Sequence, residues 1–294
     1  GGVSFLEFFA IGDRAWASVE RALGVVAGLT PTRGVRPGLQ PHAPYSVESE
    51  AYRAALEYAL ARGIPVATHA AESLAEREFI ARATGPHRAL LESLGLWSPR
   101  LEREFGLGRT PLEHLDRVLD GRPCLLVHGN DISDDDLARL ASRAGVVVAY
   151  CPRSSAYFEA PRHFGPHRYR ELLARGVPVC LGTDSILNLP KAAADPGRGG
   201  ISVLDEARLL FRRDRTPGPT LMSMMTTHGA LALGLEPGLF EFASNGGPAT
   251  MQGLIAVRAA QDSGYGDPLK AILSHDDPAR LLFLRNLSGL TAKK

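Results

Sequence analysis

Four short apolar runs in this chain end in a residue that can hold a metal ion or move a proton. Ile64 to Ala67 leads through Thr68 to His69, with Glu72 three places on. Leu125-Leu126-Val127 closes on His128, Gly38-Leu39-Gln40-Pro41 on His42, and Val179 to Thr183 on Asp184. Imidazole nitrogen and carboxylate oxygen are donors that a divalent cation takes readily. A carboxylate beside such a cation can also move protons for a water activated there. Taken alone, the His69 octapeptide has a second reading: a histidine tied to a neighbouring carbonyl and a glutamate opening the next helix. Recurrence of the pattern at four strand ends favours a shared site.

The elements that must position these residues alternate. Ser4 to Phe9, Gly38 to His42, Ile64 to Ala67, Leu125 to His128, Gly145 to Cys151 and Val177 to Ser185 read as strands. Helices are expected from Asp13, as N-cap, through Val26, and from Ser46 to Gly63, with Tyr52, Ala55, Leu56, Ala59 and Leu60 on one face. Leu74 to Asp120 reads as a helical excursion broken at Gly85-Pro86, Ser98-Pro99 and Thr110-Pro111. Ser133 caps a helix whose first turn holds Asp134, Asp135 and Asp136, and capping accounts for that triplet. Tyr169–Ala174, Ile201–Phe211 and Pro219–Gly234 follow as helices, and Gly253–Val257 and Leu281–Leu284 as strands of a small β element. Two joints nearly repeat: Ala61-Arg62-Gly63-Ile64-Pro65-Val66 and Ala174-Arg175-Gly176-Val177-Pro178-Val179. Each sets Gly where a helix stops and Pro at the mouth of a strand. Strand alternating with helix implies a parallel sheet. In a (β/α)8 barrel the C-terminal strand ends form the active-site mouth, so His42, His69, His128 and Asp184 converge there.

Bulk properties agree with a globular protein. The 294 residues carry a net charge of +1 and are 45% hydrophobic, enough for the core of one large α/β barrel or of two ordinary domains. No strong field draws nucleic acid or an acidic membrane, and no apolar run is long enough to span a bilayer. The three cysteines, Cys124, Cys151 and Cys180, form no C-x-x-C pair, which points to reduced thiols and a cytoplasmic protein. The chain opens without methionine, almost directly on a strand, and reads as a piece that begins mid-domain.

Five segments together resemble the amidohydrolase superfamily, in its branch of cytosine deaminase, adenosylhomocysteine/methylthioadenosine deaminase and aminodeoxyfutalosine deaminase. They are Pro41-His42-Ala43-Pro44-Tyr45-Ser46, Thr68-His69-Ala70-Ala71-Glu72, Leu126-Val127-His128-Gly129, Cys151-Pro152-Arg153-Ser154 and Leu181-Gly182-Thr183-Asp184-Ser185. The resemblance implies an α/β fold, a (β/α)8 TIM barrel over 1–240, with 241–294 running into a small flanking β domain. It implies that the first strand here is the family's third, so that strands one and two lie outside this sequence. It assigns His69 and Asp184 as metal ligands, Glu72 as proton shuttle and His128 as the group orienting water or substrate. Asp184 would also take a proton from the attacking water, and His42, Glu72, Arg153 and Ser185 would contact substrate. One divalent ion is expected, zinc first and iron second. The implied reaction is hydrolytic deamination of an adenine-type nucleoside. A small molecule is thus the expected partner, and self-association is left open.

Departures from the family pattern are visible. No H-x-H occurs among the nine histidines, and that motif supplies two of the family's ligands. Ile186-Leu187-Asn188 stands where a Ser-Asn step is common, and Ser155 where asparagine is common. Other chemistry on the same scaffold (guanine deaminase, chlorohydrolase or cyclic-amide hydrolase) and a non-catalytic barrel are the competing readings. Of the remaining residues, His87, His114, His163, His167 and His275 read as surface or helix-face groups, and His228 as packed or capping. Met222, Met224 and Met225 read as core filler. Arg153 is balanced between substrate contact and anchoring its own loop.

Overall fold

The computed structural model describes residues 2–32, 34–189, 201–235, 254–256, 267–275 and 280–282. Strand and helix alternate from the start: β1 (Gly2–Phe8), α1 (Ala15–Gly28), β2 (Val35–Pro41), α2 (Ser49–Arg62) and β3 (Ala67–Ala70). The excursion carries α3 (Leu74–Arg82), α4 (Gly85–Ser93), α5 (Pro99–Glu102) and α6 (Pro111–Leu119). Then come β4 (Cys124–His128), α7 (Asp134–Ala141), β5 (Val146–Tyr150), α8 (Pro152–Tyr157), α9 (Ala160–Phe164), α10 (Tyr169–Ala174) and β6 (Val179–Leu181). Helices α11 (Val203–Asp214), α12 (Gly218–Met225) and α13 (Thr227–Ala232) follow, then β7 (Leu254–Ala256), α14 (Pro268–Ser274) and β8 (Arg280–Leu282).

β1 pairs with β2, and β3 with β4, β4 with β5 and β5 with β6, all in parallel. β2 meets β3 at a single bridge, Leu39 to Val66, where the Leu39 N–H donates to the Pro65 carbonyl at 3.0 Å. Pro37 and Pro41 stand two places either side of Leu39, on the same edge of the strand, and have no N–H to give. That limits the junction to one bridge. The six strands therefore run in chain order as one arc of a (β/α) barrel. Within it, Gly38 lies under Phe5: a Cβ there would come 2.6 Å from the Phe5 ring. Val19, Leu56, Leu126, Leu137, Val148, Leu172, Val179 and Leu210 share one core between the arc and its helices. Phe79, Ile80, Leu91, Leu101 and Phe105 form a second core that holds the excursion together.

Most expected elements are present with shifted ends, and a few expectations fail. Asp13 caps nothing. It lies in a short 3-10 turn, and the Gly12 N–H beside it is taken by the buried Glu48 carboxylate at 2.6 Å. Leu60 is 65% exposed, because the buried stripe of α2 is narrower, formed by Ala51, Tyr52, Ala55, Leu56 and Ala59. The helix foreseen over 219–234 is broken at Thr226 into α12 and α13. Met224 is core, but Met222 is 37% exposed. The excursion breaks where expected: Gly85-Pro86, Pro99 and Pro111 each open a helix, and proline suits that first turn. Ser133 and Asp136 form a reciprocal capping box.

β7 and β8 pair antiparallel, as a small β element should. The expected boundary at residue 240 lies outside the described residues. No helix among the described residues is long and apolar enough to cross a membrane. All three cysteines are free and buried, and burial pushes the Cys124 and Cys180 thiols up to about 12.

Candidate active site

The C-terminal ends of β2, β3, β4 and β6 open on one cleft of about 230 Å³. His42, His69, Glu72, His128, Asp184 and Ser185 line it, with Tyr157, Phe158, Leu187 and Asn188. The sequence-derived set is therefore brought together, with one exception. Arg153 points away. Its guanidinium donates to Glu206 Oε1 at 2.5 Å and its own N–H to Glu206 Oε2 at 3.0 Å. Glu206 is fully buried in α11, so the loop-anchoring reading of Arg153 matches its position.

The strands end in bends that ordinary residues resist. Ala71, His128 and Asp184 have φ of 55°, 78° and 55°. The left-handed region costs a residue with a Cβ roughly 1–2 kcal/mol. Each bend is held by a polar side chain. The buried Glu76 carboxyl group accepts from the N–H of Ala71 at 3.0 Å and of Glu72 at 2.7 Å. The Asn130 amide donates to the Glu72 carbonyl at 3.1 Å. The imidazole of His167 meets the His128 carbonyl at 2.9 Å. The Ser154 hydroxyl donates to Asp184 Oδ2 at 2.5 Å, and Asn188 Nδ2 lies 3.5 Å from the same oxygen. Asn188 thus reaches Asp184 through a short 3-10 turn, Ile186–Asn188.

Two of the histidines present a bare nitrogen. His69 Nδ1 lies 3.0 Å from the His42 carbonyl, which can only accept, so Nδ1 carries the proton. His42 Nδ1 lies 2.7 Å from Ser46 Oγ, whose own proton goes to the Ala43 carbonyl at 3.1 Å. In the neutral rings both Nε2 atoms then hold free lone pairs, the arrangement that carbonyl-oriented metal ligands use. Glu7, near the end of β1, lies close by: its Oε2 is 3.9 Å from His69 Nδ1, and one donor atom each of Glu7, His42 and His69 lies within 4.8 Å of the others. This N,O donor set suits zinc or iron.

Burial and neighbouring charge set the protonation of the cleft. His42 is pushed down to about 4 by burial, then by His69 and His87. Phe9 packs on its ring at 4.3 Å, and Tyr45 meets it edge-on. His128 is pushed down to about 4 by burial and by His69, against the pull of Asp184. Glu72 is pushed up, first by burial and then by Asp184, while His69 opposes the shift. Glu72 Oε1 is 3.4 Å from His128 Nε2. Both groups are thus biased toward their neutral forms.

Sequence reasoning missed Glu7 and His167. A lone carboxylate inside the apolar run Phe5-Leu6-Glu7-Phe8-Phe9 was the available signal for Glu7. His167 is neither on the surface nor on a helix face: it is buried and stacked on Tyr150 at 3.8 Å. His87 stands on α4 as expected, stacked on Tyr45 at 3.9 Å. His114 is buried against Phe105 on α6, and His163 is exposed on α9. His228 is packed, with Nδ1 2.9 Å from the Val179 carbonyl.

Comparison with known proteins gives a consistent result. The sequence profile of the amidohydrolase family matches residues 18–241. An aminodeoxyfutalosine deaminase of Deinococcus radiodurans is 36% identical over 167 residues, covering 52% of this chain and 36% of that protein. A 5'-deoxyadenosine deaminase of Methanoregula boonei is 28% identical over 235 residues, covering 77% of this chain and 45% of that protein. The chain thus spans less than half the length of these curated relatives. The crystal structure of Helicobacter pylori aminofutalosine deaminase with methylthio-coformycin superposes with a TM-score of 0.61 at 22% identity. It covers 79% of this chain and 54% of that one, and shows the shared fold.

Proposed function

The chain belongs to the amidohydrolase family, and from there we propose that it carries the catalytic face of a metal-dependent deaminase of adenine-type nucleosides. The substrate class is aminodeoxyfutalosine, methylthioadenosine or adenosylhomocysteine. The observation that carries this reading is the convergence of Glu72, His128 and Asp184 with His42 and His69 in one cleft. The names of the two curated relatives support the nucleoside class.

His69 and Asp184 would hold one divalent ion, zinc first and iron second, with Glu7 as a further donor beside them. Such an ion supplies the polarisation that makes water a nucleophile at neutral pH. Asp184, fixed by Ser154 and Asn188, accepts the proton of the attacking water. His128, neutral in its buried setting, holds the attacking oxygen with an N–H. Glu72 delivers its proton to the ring nitrogen, takes up the proton of the hydroxyl now on the ring carbon and passes it to the departing amine, so that the C–N bond breaks to leave a keto ring and ammonia. Ser185 and His42 contact the bound nucleoside, and the exposed faces of Tyr157 and Phe158 offer stacking surface at the rim.

The test is ammonia release with loss of the adenine absorbance across a nucleoside panel, in the longest natural chain that contains this sequence. Turnover of an adenine nucleoside supports the reading. Zinc binding with no ammonia from any adenine nucleoside, but turnover of guanine, a chlorotriazine or a cyclic amide, would replace it with another reaction of the same scaffold. Neither metal nor turnover would leave the non-catalytic barrel.

A further inference from the structure

His167 lies in the loop between α9 and α10, far in sequence from every strand end that builds the cleft. Its imidazole is buried and stacked on Tyr150, the last residue of β5, at 3.8 Å and 18° between planes. Tyr150 is itself fixed, since Arg213 donates to its hydroxyl at 3.0 Å. From this seat His167 Nε2 reaches the carbonyl oxygen of His128 at 2.9 Å. A carbonyl only accepts, so Nε2 carries the proton and Nδ1 is the bare nitrogen. That Nδ1 is buried with no hydrogen-bond partner among the described residues. An unsatisfied buried nitrogen is costly, and an apolar ring would avoid the cost. What the histidine adds over a phenylalanine in the same slot is one N–H, and it is aimed at one of the left-handed bends of the cleft, His128 with φ of 78°.

We infer that His167 is the positioning residue for His128: its N–H holds the left-handed bend that turns the His128 imidazole toward Glu72. The inference rests on the reading of His128 as a group acting on the substrate. Burial, which pushes His167 down to about 4, keeps the ring neutral and the donor single at physiological pH. His167 touches no substrate. It acts through the backbone of its neighbour, much as outer groups hold metal-ligating histidines in orientation.

The experiment uses the full chain, with imidazole nitrogen NMR and steady-state kinetics. In the wild type, His167 should be the neutral Nε2–H form at pH 7, with slow exchange of that proton. An Nδ1–H form or a charged ring overturns the inference before any variant is made. His167→Phe keeps the stack and removes the donor. It should shift the His128 ring signals and lower kcat roughly 10- to 100-fold with KM little changed. His167→Gln, which returns an N–H at the same reach, should restore the His128 signals and most of kcat. A His167→Phe protein with lower Tm but unaltered His128 signals and kcat makes the residue merely structural. If His167→Phe does not fold, His167→Leu reads the same two quantities. His128 signals that respond in a chain with no deaminase turnover uphold the positioning role and overturn the proposed reaction instead.

Discussion

Glu72 Oε1 lies 3.4 Å from His128 Nε2, a carboxyl from the bend after β3 facing an imidazole from the end of β4. Adjacent parallel strands bring them together. Ala70 pairs with His128, and the Gly129 N–H donates to the Ala70 carbonyl at 3.0 Å. Both side chains are displaced toward neutrality by the same buried surroundings. A proton can therefore pass to and from Glu72 without a large solvation barrier.

Glu72→Gln keeps the shape and removes the titrating group. Turnover of the proposed nucleoside substrate is expected to fall about 10²- to 10⁴-fold. Metal content and Tm should stay near wild type, read by elemental analysis and thermal melting. Undiminished ammonia release from this variant would sink the role given to Glu72.

Metal affinity separates the donors. His69→Ala should abolish zinc binding in a calorimetric titration. Glu7→Gln should weaken it roughly tenfold, in the range seen when a supporting group is lost. A chelator should remove activity, and added zinc should restore it. Unchanged zinc affinity in Glu7→Gln would leave His69 and Asp184 without help from β1.

Glu76 gives a pH signature. Burial pushes its carboxyl up from 4.5 to about 8, against the pull of the Glu72 and Ala71 N–H groups. The folded state then binds a proton more tightly than the unfolded chain. The resulting stability is fully present below about pH 4.5 and is lost as pH rises to about 8. Glu76→Gln should flatten that slope in denaturant titrations. It should also cost about 1–3 kcal/mol, since its side chain offers one acceptor to two buried N–H groups.

Arg153→Ala distinguishes anchor from substrate contact. It leaves the Glu206 carboxylate buried without its charged partner, so a loss of about 3–5 kcal/mol is expected. KM of the surviving folded protein should barely change. A KM that rises more than tenfold with stability intact would return Arg153 to the cleft.

What the sequence revealed and what it hid follow from one physical distinction. His42, His69, His128 and Asp184 were legible because each ends an apolar run, and a parallel barrel sends such ends to one face. Glu72 was legible by its distance from His69. Glu76 looked like an ordinary residue in the first turn of α3, since Ser73 caps its N–H at 3.2 Å, and only the fold shows its carboxyl group turned back under the bend. His167 depends on a loop folding onto a strand 39 residues earlier, which no local pattern records. Arg153 was ambiguous because its partner, Glu206, lies 53 residues on. Local periodicity places elements, while long-range polar pairs are set only when they pack.

The left-handed bends at His128 and Asp184 set stability and activity against each other. Glycine would relax either bend, since it adopts positive φ without strain, yet it would delete a group that we propose acts on the substrate. At positions 128 and 184 that relief of about 1–2 kcal/mol is also set against the loss of a buried ring at 128 and of the acceptor for the buried Ser154 hydroxyl at 184. At Ala71, bent just as sharply, no reactive group is lost. Position 71 is where a stabilising glycine can be sought with the chemistry intact.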